Sequence, residues 1–120
     1  HWMVHSFPTR RSSDLADATL RLPPEARGRT RWQETGQSLY YWYYGTLALF
    51  HLGGRWWKEW NPAMKDALLK LQRADGHRAG SWDPDPNWIG QTGGRVYATA
   101  IAVLTLEVYY RVRPRYLGSL

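Results

Sequence analysis

Residues 65–82, with the sequence KDALLKLQRADGHRAGSW, contain the pattern that decides the fold. In the first part, Ala67, Leu68 and Leu71 recur at intervals of three and four residues, which places them on one face of an amphipathic helix. After Gln72 this period is lost and Gly, Asp and Pro accumulate, which is typical of a compact loop. The stretch therefore predicts a helix that ends near Gln72 and leads into a long loop.

The predicted helix also has a start signal. Asn61 can cap a helix through its side-chain oxygen, and proline suits the first helical position, so Pro62 fits directly behind it. We therefore expect a helix over residues 62–73, preceded by a short aromatic link at 55–60 and followed by a loop at 74–92.

Gln72 and Trp82 are the residues most able to tie this loop to the helix. A primary amide donates and accepts hydrogen bonds, so Gln72 can bind backbone groups that are freed at the helix end. The flat indole of Trp82 can pack over that amide. With Gly80 in the turn between them, we predict a structural clasp formed by Gln72, Gly80 and Trp82.

Two nearly all-apolar segments lie on either side of this unit. Residues 38–52 are almost all aromatic or apolar, and Gly53 follows as a helix stop. Residues 93–111 form a second such segment, which ends before Pro114. Since a helix that is apolar all round is buried on several sides, the order of segments predicts an all-α array of helical hairpins.

The clasp pattern resembles the QW repeat of the squalene-hopene cyclase and prenyltransferase superfamily. That repeat has a basic residue, an apolar residue, Gln and then Gly-x-Trp, matched here by Lys65, Leu68, Gln72, Gly80 and Trp82. The gap between Gln72 and Gly80 is longer than in the family pattern. Residues 40–50 and 93–111 are also similar to the matching segments of bacterial prenyltransferase and squalene oxidase repeat proteins.

The resemblance implies an α/α toroid, in which inner helices line a central cavity and outer helices face solvent. On this basis we expect residues 16–120 to be the carboxyl-terminal part of such a repeat domain, with the remainder of the toroid outside this chain. The chain would contribute scaffold and cavity wall for a hydrophobic isoprenoid. If the full-length protein is an enzyme, the resemblance implies isoprenoid cyclisation or prenyl-group chemistry.

Aromatic side chains are the candidates for the lining of this cavity. Residues 40–44 are all aromatic, but consecutive helical residues point around the whole circumference, so two or three of them at most can face one cavity. The substrate-cavity candidates are Trp42, Tyr43, Tyr44, Trp88 and Tyr97. The alternative interpretation is that these rings fill the space between packed helices.

The chain has no recognisable catalytic motif. Triterpene cyclases place their catalytic acid in a DxDD motif, which is absent here, and the nearest sequence is Asp83-Pro-Asp85-Pro. Aspartate before proline favours turns, so we expect both carboxylates to be solvated. Glu107 lies within an apolar segment and is expected to pair with Arg111, one helical turn further on.

No metal ion, cofactor or nucleic acid is predicted as a ligand. The zinc site of protein prenyltransferases needs Asp, Cys and His, whereas this chain has no Cys, and His51 and His77 lie on different elements. The net charge of +6 is spread over single residues and accompanies no nucleic-acid-binding motif. No apolar run reaches the roughly 20 residues of a membrane span, since polar residues interrupt 96–110.

Two other functions are compatible with the same sequence. The first is a non-catalytic toroid repeat domain that binds a protein or a hydrophobic partner. The second is carbohydrate binding by exposed Trp56, Trp57 and Trp60, although no paired carboxylates frame these rings as they do in glycosidases.

The first fifteen residues are set apart from this interpretation. The sequence SFPTRRSSDL at residues 6–15 is one reading frame of a common sequencing adapter. We therefore expect residues 1–15 to be an assembly artefact with a disordered or irregular conformation, to be excluded from fold reasoning as a fusion scar is.

Overall fold

The computed structural model describes residues 10–24 and 38–113, and these contain five α-helices and no β-strand. The helices are α1 (Arg10–Leu20), α2 (Leu39–Leu52), α3 (Gly54–Leu71), α4 (Trp88–Leu106) and α5 (Val108–Arg111). One 3₁₀ turn, Gly76–Arg78, lies in the connection between α3 and α4. The predicted all-α class is confirmed.

Helix α2 begins and ends where its sequence predicts. Ser38 accepts a hydrogen bond from the Tyr41 backbone N–H and so caps the helix. Gly53 follows the last residue with φ of 68°, a backbone conformation that glycine adopts without a steric penalty, and its N–H donates to the Leu49 carbonyl. The next residue already belongs to α3, so α2 and α3 form a tight helical hairpin.

Helix α3 is longer than predicted, because it begins at Gly54 and contains Pro62 in its interior. The aromatic link at 55–60 and the helix start at 62 are therefore wrong. Proline inside a helix removes a hydrogen bond and costs about 3 kcal/mol. Burial of Trp60 stabilises the helix and offsets this cost, because its side chain is fully buried against α2.

The Trp60 side chain fits a specific place on α2. Its indole N–H donates to the Thr46 hydroxyl at 2.8 Å, and a Cβ atom added at Gly45 would lie 2.7 Å from its ring. Burial of one large apolar side chain contributes about 1.5 to 3 kcal/mol, comparable to the proline penalty. Tertiary packing thus keeps residues 54–61 helical where the local signal predicts a break.

Helix α4 begins at Trp88, five residues before the predicted start at 93. Asn87 caps it by accepting a hydrogen bond from the Gly90 N–H at 3.1 Å. Gly93 and Gly94 follow one another inside this helix, and Gly94 marks a kink, since its backbone angles are non-helical with φ of 64°. Glycine tolerates this conformation, so the helix continues beyond the kink to Leu106.

Helix α2 lies between α3 and α4 and contacts both. At one end, the Leu39 N–H of α2 donates to Asp85, just before α4. At the other end, the Phe50 ring of α2 contacts the ring of Tyr109, just after α4. Helices α2 and α4 are therefore parallel neighbours, and α3 packs against α2. The closure of such units into a toroid stays a prediction.

The core is formed where these three helices meet. Its buried members include Leu39, Trp42, Leu49, Trp60, Met64, Ala67, Leu68, Leu71, Trp82, Ala98, Ile101 and Ala102. The apolar face predicted from residues 65–82 is therefore the face that α3 buries.

Helix α1 packs against this unit through Ala16, which is buried. The Asp17 carboxylate accepts hydrogen bonds from the Trp56 indole at 2.9 Å and from the Arg55 guanidinium. Residues 10–15, expected to be irregular, form the first half of this helix, and residues 1–9 lie outside the described part of the chain. The adapter origin of the segment stays a prediction.

Candidate ligand-binding face

Gln72, Gly80 and Trp82 lie together at the end of α3. The Gln72 side-chain amide donates to the Gly80 carbonyl at 2.9 Å, and the main chains of Gln72 and Trp82 form an isolated antiparallel bridge. The Trp82 indole N–H donates to the Leu68 carbonyl at 2.8 Å, and Trp82 is 2% exposed. The Trp82 indole, rather than the Gln72 amide, thus donates to a carbonyl at the helix end, while the Gln72 amide donates to a carbonyl of the loop.

Two ion pairs of Asp83 also stabilise the loop. The Asp83 carboxylate contacts Arg73 at 2.8 Å and Arg95, and Arg95 donates in addition to the Ser81 hydroxyl at 2.8 Å. Burial alone raises the pKa of Asp83, but hydrogen bonds and attraction from the two guanidinium groups outweigh it, so the pKa lies below its usual value. The predicted solvation of this carboxylate is wrong, because it connects the end of α3 to α4.

Asp85 is buried, with 1% of its surface exposed, so its predicted solvation is wrong as well. Its Oδ2 atom accepts a hydrogen bond from the Leu39 N–H at 2.9 Å, at the beginning of α2. Burial raises the pKa of Asp85, against the opposing effect of the Leu39 and Asn87 backbone amides. Gly90 lies so close that any side chain there would collide with this carboxyl group.

Three tyrosines of α2 and α4, Tyr40, Tyr44 and Tyr97, interact electrostatically. Tyr40 and Tyr44, one turn apart on α2, have ring centroids 4.6 Å apart and are about half exposed. Burial raises the pKa of Tyr97, and the charges of Asp85, Tyr40 and Tyr44 raise it further. These groups therefore lie within electrostatic range of one another. The Tyr44 pKa is raised mainly by interaction with Tyr40.

The exposed surface of α2, and of α4 from residue 96 onward, carries no charged residue. Residues 39–52 and 96–106 contain no Asp, Glu, Lys or Arg. We define the charge-free face by six exposed residues, namely Tyr40, Tyr44, Ala48, Val96, Ala100 and Leu104. Within the described part of the chain, no helix is long and apolar enough to cross a membrane.

Helix α3 presents the opposite type of surface. Its exposed residues include Lys58, Glu59, Lys65, Asp66 and Lys70, and Lys70 pairs with Asp66 at 2.9 Å. Leu69 is an exposed apolar residue among them. The exposed surfaces of the helices therefore differ in polarity, with charged residues on α3 and a charge-free face on α2 and α4.

The five cavity candidates do not share one location. Trp42 is fully buried in the core, and Trp88 is 75% exposed at the start of α4, without a ring contact in the described residues. Tyr44 lies on the charge-free face, and Tyr43 packs edge-on against it at 5.2 Å. Tyr97, on α4, packs against the core. The structure thus brings Tyr43 and Tyr44 into ring contact, packs Tyr43 and Tyr97 against the core that contains Trp42, and leaves Trp88 exposed.

Two other residues, Tyr40 and Asp85, were considered in the sequence but not retained as site candidates, Tyr40 as one of the aromatic residues 40–44 and Asp85 as a turn carboxylate. Tyr40 could have been identified from its spacing of four to Tyr44, which places both on one helical face. Asp85 carries no such signal, because its partner Leu39 lies 46 residues away in sequence.

The other residues singled out in the sequence do not form a carbohydrate site, the expected ion pair or a metal site in the described part of the chain. Trp60 is buried and Trp56 and Trp57 are half-buried against the core, so they do not form an exposed carbohydrate platform. Arg111 donates to the Leu104 carbonyl at 3.4 Å, and no ion pair joins it to Glu107 in the described part of the chain. No group of three potential metal ligands occurs among the residues that the structure describes.

No protein-family model, curated protein or solved structure matches this chain. The resemblance to the QW repeat therefore stays a prediction.

Proposed function

We propose that this chain is a helical repeat unit of a squalene cyclase or prenyltransferase-like protein, and that its charge-free face is a wall that binds a hydrophobic isoprenoid. The observation that carries the proposal is the difference in polarity between the exposed residues of α3, which are mostly charged, and those of α2 and residues 96–106, which are not. Contiguous exposed apolar surface of this kind marks a binding site in soluble proteins.

The arrangement of the helices supports this function. Parallel helices α2 and α4, with α3 packed on α2, are compatible with two inner helices and one outer helix of the toroid that the resemblance implies. The Gln72–Trp82 clasp holds the connection from the outer helix to the next inner one. A rigid connection of this type keeps the two inner helices in register, so their exposed side chains form one surface.

The physical basis of binding is the removal of apolar surface from water. Each Å² of hydrocarbon surface buried contributes about 25 cal/mol, and the phenol rings of Tyr40 and Tyr44 add flat apolar area. No charged side chain on α2 or on residues 96–106 has to lose its hydration when such a ligand binds. The proposal gives the chain a binding and scaffolding role and no catalytic residue.

A single charge placed on the face tests the proposal. Val96→Lys changes a residue that is 83% exposed, so the fold is retained, but a bound hydrocarbon would cover the new ammonium group. We expect squalene binding to the full chain, measured by equilibrium dialysis, to weaken about tenfold or more, since a covered charge costs well over 1 kcal/mol. Leu69→Lys, on α3, is the matched control and should leave binding unchanged.

The same experiment separates the isoprenoid from a protein partner. If the wild-type chain does not bind squalene, or if Val96→Lys and Leu69→Lys behave alike, the isoprenoid proposal is wrong. Self-association that is abolished by Val96→Lys, in the absence of squalene binding, would instead favour the non-catalytic repeat domain that binds a protein.

A further inference from the structure

The loop between α3 and α4 contains two aspartate–proline peptide bonds, Asp83–Pro84 and Asp85–Pro86. Proline forms a tertiary amide, whose nitrogen carries no hydrogen and leaves as a secondary amine when the bond is broken. The carboxyl group of the preceding aspartate can close a five-membered ring onto its own main-chain carbonyl carbon. Since a carboxylate in this position is an intramolecular nucleophile, both bonds are chemically open to self-cleavage.

The two carboxyl groups have different surroundings. The Asp83 carboxylate contacts the guanidinium groups of Arg73, at 2.8 Å, and of Arg95. Asp85 is buried, with 1% of its surface exposed, and no charged side chain of the described residues pairs with it. Asp83 is therefore held in its charged form, whereas Asp85 lies in surroundings that favour the neutral acid.

The side-chain carboxyl group of Asp85 lies beside its own main-chain carbonyl group. A Cβ atom at Gly90 would overlap both Oδ1 and the main-chain oxygen of Asp85, so these two oxygen atoms face the same point of α4. The hydrogen bond from the Leu39 N–H to Oδ2, at 2.9 Å, restricts rotation of the carboxyl group. The nucleophile is thus held close to the carbonyl carbon, which lowers the entropic cost of attack.

We propose that the folded chain cleaves its own Asp85–Pro86 peptide bond in weak acid, an activity that goes beyond the proposed function and does not rest on it. The carboxyl proton passes to the Pro86 nitrogen, and Oδ1 attacks the main-chain carbonyl carbon of Asp85. The bond from that carbon to the nitrogen breaks, which leaves a cyclic anhydride on Asp85 and a secondary amine on Pro86. Water then adds to the anhydride and yields two carboxyl groups, so the overall reaction is hydrolysis.

The reaction needs the acid form of the carboxyl group, so its pH dependence differs between the two bonds. Burial raises the pKa of Asp85, against the opposing effect of two backbone amides. Burial also raises the pKa of Asp83, but the two guanidinium groups outweigh it and the pKa lies below its usual value. Tyr97 of α4 interacts electrostatically with Asp85, and a phenol is neutral in weak acid. The acid form therefore persists to higher pH at Asp85 than at Asp83.

Mass spectrometry of the intact full chain, kept folded at about pH 5, tests the inference. We expect fragments 1–85 and 86–120 to accumulate and to exceed the products of cleavage after Asp83 at least about fivefold, since the acid form is present mainly at Asp85. In the same buffer with urea, burial and the ion pairs are lost. The two bonds should then break at similar rates, so the ratio should fall to about one.

Three variants assign the cleavage to its chemical groups, with circular dichroism as the check that each is folded. Pro86→Ala, at an exposed position, converts the tertiary amide into a secondary one and should abolish cleavage after Asp85. Pro84→Ala is the matched control and should leave that cleavage unchanged. Arg73→Gln removes one partner of Asp83 and should increase cleavage after Asp83 at least about threefold, without a change after Asp85.

Absence of fragments 1–85 and 86–120 from the folded chain overturns the inference. A ratio of the two cleavages that is the same with and without urea also overturns it, because the fold then has no influence on the choice of bond. Cleavage after Asp85 that survives Pro86→Ala would indicate a contaminating protease and has the same consequence. None of these results affects squalene binding to the charge-free face, which tests the proposed function separately.

Discussion

The Trp82 indole should contribute measurably to stability, because it fills a core position and also binds a helix-end carbonyl. Trp82→Phe removes the hydrogen bond to the Leu68 carbonyl, which contributes about 1 kcal/mol. That carbonyl keeps a second donor, the Gln72 backbone N–H at 3.1 Å, so it is not left unpaired. The smaller ring leaves roughly 40 Å³ unfilled, which costs about 1 kcal/mol at about 24 cal/mol per Å³.

The free energy of unfolding of Trp82→Phe should therefore be about 2 kcal/mol lower than that of the wild type. Urea denaturation followed by circular dichroism measures this quantity, and the midpoint of thermal unfolding should fall by roughly 10 °C. Trp88→Phe makes the same chemical change at a 75% exposed position and should cost less than about 0.5 kcal/mol. Equal effects of the two substitutions would refute the role of the Trp82 contacts in stability.

Three further substitutions test the contacts that hold the helices. Gly45→Ala should lower the free energy of unfolding by about 1 to 3 kcal/mol in urea denaturation, because the new Cβ atom would overlap the buried Trp60 ring; no loss would contradict the close packing of α2 on α3. Pro62→Ala should raise the thermal midpoint, since it restores a backbone donor within a continuous helix; a lower midpoint would argue that α3 is broken there. Asp83→Asn should destabilise the protein at pH 6 and much less at pH 3. The Asp83 pKa is lower in the folded state, so its contribution is present above about pH 4 and is lost as the pH falls through the folded-state value; a cost independent of pH would exclude the ionic contribution of Arg73 and Arg95.

The sequence by itself determined the helical class, the limits of α2 and the residues that meet at the end of α3. These features depend on signals that lie within a few residues of each other. Ser38 and Gly53 act on the helix they flank, and the apolar period of residues 65–71 predicts the face that α3 buries. Gln72 and Trp82 were predicted together from the chemistry of their side chains, although the indole, and not the Gln72 amide, binds the carbonyl at the helix end.

Tertiary structure alone decided the start of α3, the burial of Asp85 and the composition of the charge-free face. Pro62 remains inside a helix because Trp60 is held by α2, a contact that no local pattern contains. Asp85 is buried because its carboxylate meets the first turn of a helix 46 residues earlier in sequence. An isolated segment shows which residues are apolar, but only the packing of α2 between its neighbours determines which of them stay exposed. That is the physical reason why the candidate site required the fold.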